Sequence, residues 1–136
     1  QTDFLDICTA MLENTLSKKD IQIEKKSTVC KYVVPEGYGV KSMVGERIDV
    51  DEDAIRHTGA KLFYASVNKT NDHIVTCSSR SLAVVGITDE LSQAEQISEQ
   101  ALTHIKGDHL FIRHDIGTRH LLEKRIRHMK EIRGRP

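Results

Sequence analysis

Ser78, Ser79 and Arg80 stand between two apolar, β-branched runs, His73 to Cys77 and Leu82 to Ile87. A tight hairpin at such a place ordinarily uses Asn-Gly or Asp-Gly, which tolerate positive φ. Two hydroxyls and a guanidinium at a strand reversal suit another task, the capture of an anion. Turn N–H groups, hydroxyls and an arginine can converge on a phosphate or carboxylate. The planar arginine fork offers such oxyanions two parallel hydrogen bonds, which lysine cannot copy. A solvated turn accounts for the same trio, and the residues alone leave both readings open.

Two more stretches carry groups of interest. "VVPEGYGV" sets Tyr38 between Gly37 and Gly39 in a loop, with an ordinary surface loop as the alternative. "IRHDIGTRH" alternates Arg113 and Asp115 with Ile112 and Ile116. A structural ion pair, an Asp115 cap on a following helix and a substrate contact all fit that pattern. The other chemistry-bearing residues point to no reaction. There is no G-x-G-x-x-G or Walker pattern to cradle phosphates. The histidines at 57, 73, 104, 109, 114, 120 and 128 lack the short spacings of metal sites, so no metal is expected. Asp51/Asp53 and Asp89/Glu90 lie where helices should begin, and capping explains them. Taken alone, the residues favour a non-catalytic module, with no catalytic residue in this chain.

Composition narrows the class further. The chain has 136 residues, one domain's worth, with 38% hydrophobic and 29% charged residues. Basic and acidic residues number 20 each, which gives no reason to expect nucleic acid or an anionic membrane as a partner. Aromatics at 4% and the lack of Trp argue against a base-stacking platform. No apolar run approaches the ~20 residues that span a bilayer, and acids interrupt the apolar face of "QTDFLDICTAMLENTL", unlike a signal peptide. Cys8, Cys30 and Cys77 are odd in number and far apart. Reduced thiols and a cytoplasmic location are expected.

These residues need elements to position them. Apolar spacing predicts a first helix over residues 3–16, with Thr2 as N-cap. "STVCKYVVP" reads as a strand ended by Pro35, "ERIDV" as a short strand, and "DEDAIRHTG" as a helical turn closed by Gly59. "AKLFYASV" and "HIVTC" read as paired strands around the turn "NKTND", and "SLAVVGI" as the next strand, hairpinned to "HIVTC" through Arg80. Leu91, Ala94, Ile97, Ala101 and Ile105 mark a helix capped by Thr88 or Asp89 and stopped at Gly107. "HLFIRHDI" is a short strand, and Leu122, Ile126 and Met129 stripe a last helix from about Thr118. Short connections between strands predict an α+β fold, an antiparallel or mixed sheet with helices flanking it.

In this order, the stretches resemble the C-terminal domain of the phosphoribosylamine–glycine ligases, also called glycinamide ribonucleotide synthetases. That family reads as a valine-rich strand with a G-Y-P-type loop, an F-H-A-G-T-like strand and an I-V-T-x-G-G-R-V-L-A-V segment. A helix and a Y-R-x-D-I-G motif follow. The counterparts here are "YVVPEGYG", "LFYAS", "IVTCSSRSLAVVG", "ELSQAEQISEQAL" and "IRHDIG". The resemblance runs from residue 2 to 122. Residues 123–136 form a basic helical extension of the same domain, with six basic and two acidic residues and the favourable spacings Glu123–Arg127 and Glu131–Arg135. An RNA contact through this tail is a remote rival reading. Departures from the family are Ser78-Ser79 for Gly-Gly, Tyr64 for His, Ser66-Val67 for Gly-Thr and Gly39 for Pro, which suggests a divergent, archaeal-type branch.

The resemblance implies a small barrel- or sandwich-like sheet with helices, as in ATP-grasp ligases. It implies an ATP-dependent joining of glycine to 5-phosphoribosylamine in purine biosynthesis, with ATP and Mg²⁺ held by upstream ATP-grasp domains of the same polypeptide. This chain would close one wall of the cleft and be inactive alone. The residues placed at that wall are Arg80, Ser79, Ser78, Tyr38 and Asp115. The alternative is a binding or interaction module that borrowed the scaffold.

Overall fold

The computed structural model describes residues 1–70 and 73–134. In chain order the elements are α1 (Phe4–Leu12), a 3-10 turn (Leu16–Lys18), β1 (Ser27–Pro35), β2 (Arg47–Val50), α2 (Glu52–His57), β3 (Lys61–Tyr64), β4 (Val67–Thr70), β5 (His73–Thr76), β6 (Leu82–Thr88), α3 (Leu91–Leu102), β7 (Ile105–Lys106), β8 (Leu110–Ile112) and α4 (Arg119–Ile132). The strands form two four-stranded sheets, ordered β3-β6-β1-β8 and β4-β5-β2-β7. Every pairing is antiparallel. The class is α+β, as the strand order and short connections predict.

The first sheet has two unlike faces, and its register shows why. Val29, Lys31 and Val33 point one way along β1, toward α3, where Leu82 and Val84 of β6 join them. Val33, Leu82 and Val84 merge with Ile48, Ile55, Ala101, Leu102 and Ile105 in the core between the sheets and helices. Cys30, Tyr32 and Val34 point the other way, sharing a face with Ala83 and Val85 of β6, Phe63 of β3 and Phe111 of β8. Among the described residues no helix packs on that second face, and Phe63 and Phe111 remain 52% and 55% exposed on it.

Helix α3 is fastened at one glycine. Gly86 faces Val29 across the β1–β6 ladder. A Cβ there would lie 2.0 Å from the Ala94 carbonyl oxygen, so only glycine lets the helix approach so closely. The Ser98 hydroxyl uses the gap. It accepts the Gly86 N–H at 2.8 Å and lies 2.8 Å from the Val29 carbonyl oxygen, completely buried.

Several local expectations need correction. β5 and β6 are not a hairpin, because β5 pairs with β4 and β2 while β6 pairs with β1 and β3. The segment carrying Arg80 is therefore a crossover between sheets. β3 likewise pairs with β6 rather than β5, and the turn residues Asn71 and Asp72 lie outside the described residues. Asp3 rather than Thr2 caps α1, accepting the Leu5 N–H at 2.7 Å. Thr2 instead ties the chain start to Gln22 through two hydrogen bonds. Helix α3 begins after Glu90 with no side-chain cap and ends at Leu102, so Gly107 does not stop it. Ile105 continues the helical period in sequence but belongs to β7, since the ladder to Val50 captures it. Asp115 caps nothing; the Thr118 hydroxyl accepts the Leu121 N–H at the start of α4. On α4, Glu123 receives Arg119 at 2.8 Å rather than Arg127, and Arg135 lies outside the described residues.

Candidate functional site

The uncovered sheet face carries a cleft of about 600 Å³. β1 contributes Cys30, Tyr32 and Val34, β8 contributes Phe111, and the segment before α4 adds Arg113 and Ile116. Above them arrive Gly37 and Tyr38 from the glycine loop and Arg80 from the crossover. Residues from three separate stretches of the chain thus meet at one hollow.

Local structure explains how each arrives. The loop after Pro35 is a run of turns, with Tyr38 N–H donating to the Pro35 carbonyl at 3.1 Å and Lys41 N–H to the Gly37 carbonyl at 2.9 Å. Gly37 has φ +75, and a Cβ on it would lie 2.2 Å from the Lys41 carbonyl oxygen. That turn cannot form around any other residue without shifting. The crossover is held at both ends. The Ser81 N–H donates to the Val33 carbonyl at 3.0 Å, the Arg80 carbonyl accepts from Ser66 N–H at 2.9 Å, and the Ser78 carbonyl accepts from the Ser42 hydroxyl at 2.9 Å.

Between these anchors the Arg80 guanidinium carbon lies 5.2 Å from the Tyr32 ring centroid and 5.9 Å from that of Tyr38. Both distances are within the range of cation–π attraction. Among the described residues no carboxylate pairs with Arg80. Arg113 differs. Its Nε and Nη2 donate to the two Asp115 oxygens at 3.1 and 2.7 Å. The Arg113 hydrogen bond holds the Asp115 carboxyl below the ordinary carboxylate value, and Asp115 in turn raises Arg113.

A second network stands behind the sheet. Lys31 is completely buried, and its ammonium lies 2.7 Å from Glu95, 2.6 Å from Glu99 and 2.8 Å from the His114 carbonyl oxygen. His114 also meets Glu99 through its Nδ1. Burial works against the Glu99 charge, but the hydrogen bonds from Lys31 and His114 outweigh it and keep its carboxyl below the ordinary value. This network pins the backbone between Arg113 and Asp115 from the covered side of the sheet.

Of the residues the sequence singled out, Arg80 and Tyr38 line the cleft. Asp115 reaches it through Arg113. Ser78 and Ser79 do not line it, and Ser78 contributes its carbonyl to the loop instead. Arg113 and Asp115 form the structural ion pair that was one reading of "IRHDIGTRH". Tyr32 and Lys31 escaped the sequence reading, although alternation along "STVCKYVVP" held the signal for both, since it sets Tyr32 with Cys30 and strands Lys31 among Val29 and Val33. Cys30 lines the cleft, yet desolvation raises its thiol above the ordinary value, which keeps it protonated and a poor nucleophile.

A larger hollow of about 1040 Å³ opens beside the second sheet, rich in carboxylates. Each of these is already engaged. Asp49 pairs with Arg47 at 2.7 Å, Asp51 accepts the Ala54 N–H at 2.9 Å, and Asp53 pairs with Arg56 at 2.8 Å. Glu52 accepts the Tyr64 hydroxyl at 2.7 Å; burial first, then Glu52, pushes that phenol up to about 12. The hollow is built from structural contacts. No helix among the described residues is long and apolar enough to cross a membrane.

Comparison with known proteins adds an independent line. A family model described as "Phosphoribosylglycinamide synthetase, C domain" matches residues 28–119. The chain is 47% identical over 133 residues to a phosphoribosylamine–glycine ligase of Methanocaldococcus jannaschii, covering 98% of this chain and 30% of that protein. It is 46% identical to the ligase of Methanococcus maripaludis and 44% identical to that of Methanothermobacter thermautotrophicus, again across 30% of each. The chain thus spans about 30% of the length of these curated archaeal relatives. In fold it is similar to the phosphoribosylamine–glycine ligase of Thermotoga maritima, with a TM-score of 0.54 and 19% identity over 62% of this chain and 20% of the other.

Proposed function

The chain belongs to the phosphoribosylglycinamide synthetase C-domain family, and from that premise we propose that it forms one wall of the active-site cleft of a phosphoribosylamine–glycine ligase. In that reaction ATP phosphorylates the glycine carboxylate. The amine of 5-phosphoribosylamine then displaces phosphate from the acyl phosphate, giving glycinamide ribonucleotide, ADP and phosphate. The anions involved require cationic groups aimed at them in a water-poor cleft.

The observation that supports this reading is the Arg80 guanidinium, held over a concave surface and left without a carboxylate partner among the described residues. Its role is to bind the phosphate of the ribosyl substrate. Among the described residues no group of three or more His, Cys, Asp or Glu is arranged to hold a metal ion. Mg²⁺ and ATP are held by ATP-grasp domains elsewhere in the parent polypeptide. The half-exposed Phe63 and Phe111 supply apolar area for those domains to close upon.

Steady-state kinetics of the full-length ligase test the role of Arg80. Arg80→Ala loses hydrogen bonds to a charged group, about 1.5 kcal/mol or more, which is roughly tenfold in kcat/KM for phosphoribosylamine. Unchanged kcat and KM would remove Arg80 from the site. This chain alone, lacking the ATP-grasp machinery, should show no ligase activity and bind neither ATP nor glycine. Micromolar ATP binding in calorimetry would contradict that division of labour.

A further inference from the structure

Three cations serve this wall, and the structure treats them differently. Lys31 is neutralised by Glu95 and Glu99 behind the sheet. Arg113 is neutralised by Asp115 through two hydrogen bonds. Arg80 alone among them is oriented by aromatic faces, Tyr32 at 5.2 Å and Tyr38 at 5.9 Å. A carboxylate would orient a guanidinium at the cost of cancelling its charge. The ring quadrupole orients it while leaving the net positive charge, and the in-plane N–H edge, available to an incoming oxyanion.

We infer that Tyr32 and Tyr38 are positioning residues that bracket Arg80 and hold it, un-neutralised, as a preorganised receptor for a phosphate monoester. The inference rests on the reading of Arg80 as a substrate-binding group and adds the device that keeps it ready. The bracket draws its members from separate elements. Tyr32 stands on the central strand β1, fixed by ladders to β6 and β8. Tyr38 stands on the loop whose turn requires Gly37. One ring is rigid, and the other is as well placed as its loop. Neither phenol hydroxyl makes a hydrogen bond among the described residues, so the ring faces carry the role. Phenylalanine should serve nearly as well as tyrosine, whereas leucine, similar in apolar character, should not.

Two measurements test this separately from the role of Arg80. NMR of the 136-residue chain reads ring-current shifts of the Arg80 side-chain protons. These are expected in the wild type, preserved in Tyr32→Phe/Tyr38→Phe, and lost in Tyr32→Leu/Tyr38→Leu. Kinetics of the full-length ligase then compare the same variants. The double Leu variant should lose roughly 5- to 30-fold in kcat/KM, two exposed cation–π contacts' worth. The loss should fall mainly on KM for phosphoribosylamine, and the Phe variant should recover it. Absence of ring-current shifts in the wild type overturns the bracket. So does normal kinetics in the Leu variant when Arg80→Ala is impaired, or a Phe variant as defective as the Leu variant with its shifts intact. If Arg80→Ala is itself without effect, the failure lies in the substrate role of Arg80. NMR dispersion of the Leu variant confirms folding, and single Leu variants replace the double one if it does not fold.

Discussion

The ammonium of Lys31 lies 2.6 Å from a carboxylate oxygen of Glu99, and the lysine side chain is entirely removed from solvent. A buried cation of this kind depends on its partners, here Glu95, Glu99 and the His114 carbonyl. Removing one partner leaves charges that folding has desolvated. Lys31→Met should therefore destabilise the domain by about 2–4 kcal/mol, at or below the usual cost of breaking a buried pair because Glu99 retains some solvent. The triple variant with Glu95→Gln and Glu99→Gln should recover part of that loss. Urea unfolding measures both, and a triple variant no better than Lys31→Met would contradict the charge argument.

The same network sets an acid limit. Glu99 has its carboxyl held below the ordinary 4.5 in the folded state, so the unfolded chain binds the proton more readily. Its contribution is complete above that ordinary value and is lost as pH falls through the depressed one. The stability difference between wild type and Glu99→Gln should hold constant near neutrality and shrink below about pH 4.5. A difference that instead shrank as pH rose from 5 to 8, on the order of the histidine range, would reverse the assignment.

Close approach of α3 to the sheet depends on Gly86. Its missing Cβ makes room for the Ala94 carbonyl oxygen, 2.0 Å from where that atom would stand. Gly86→Ala should cost about 1–3 kcal/mol through overpacking. Ser98→Ala should cost about 1–3 kcal/mol by leaving a buried N–H without its acceptor. Equilibrium unfolding checks each, and a midpoint unchanged in either would mean the helix can shift without penalty.

The proposed tyrosine bracket depends on the turn at Gly37. An alanine there meets the Lys41 carbonyl and must hold φ +75, so the turn carrying Tyr38 moves. In the full-length ligase Gly37→Ala should imitate Tyr38→Leu in raising KM for phosphoribosylamine. Wild-type kinetics in Gly37→Ala would show that the loop does not deliver Tyr38 to Arg80.

Much of this architecture was legible because alternation and helical periodicity are local. β1, β2, β6, α1 and α4 lie close to where their apolar patterns place them. Strand partnership was not legible. The runs around Arg80 read as a hairpin because they are adjacent in sequence, but β5 finds β2 and β6 finds β1, pairings decided by burial across the whole domain. The last turn of α3 failed for a similar reason: Ile105 fits the helical period, and a ladder partner outweighs it. Arg80 stands out in the sequence by its odd setting and its family counterpart, and the fold places it at the cleft. Tyr32, its nearer aromatic partner, looked like any strand residue until the fold brought it beneath the guanidinium.

Calorimetric titration of the full-length ligase with ribose 5-phosphate, a stable carrier of the same phosphate monoester, compares wild type and Arg80→Ala most directly. If this arginine supplies the phosphate contact, Kd should rise about tenfold or more in the variant. Equal affinities would mean that the guanidinium between the two tyrosines faces something other than substrate.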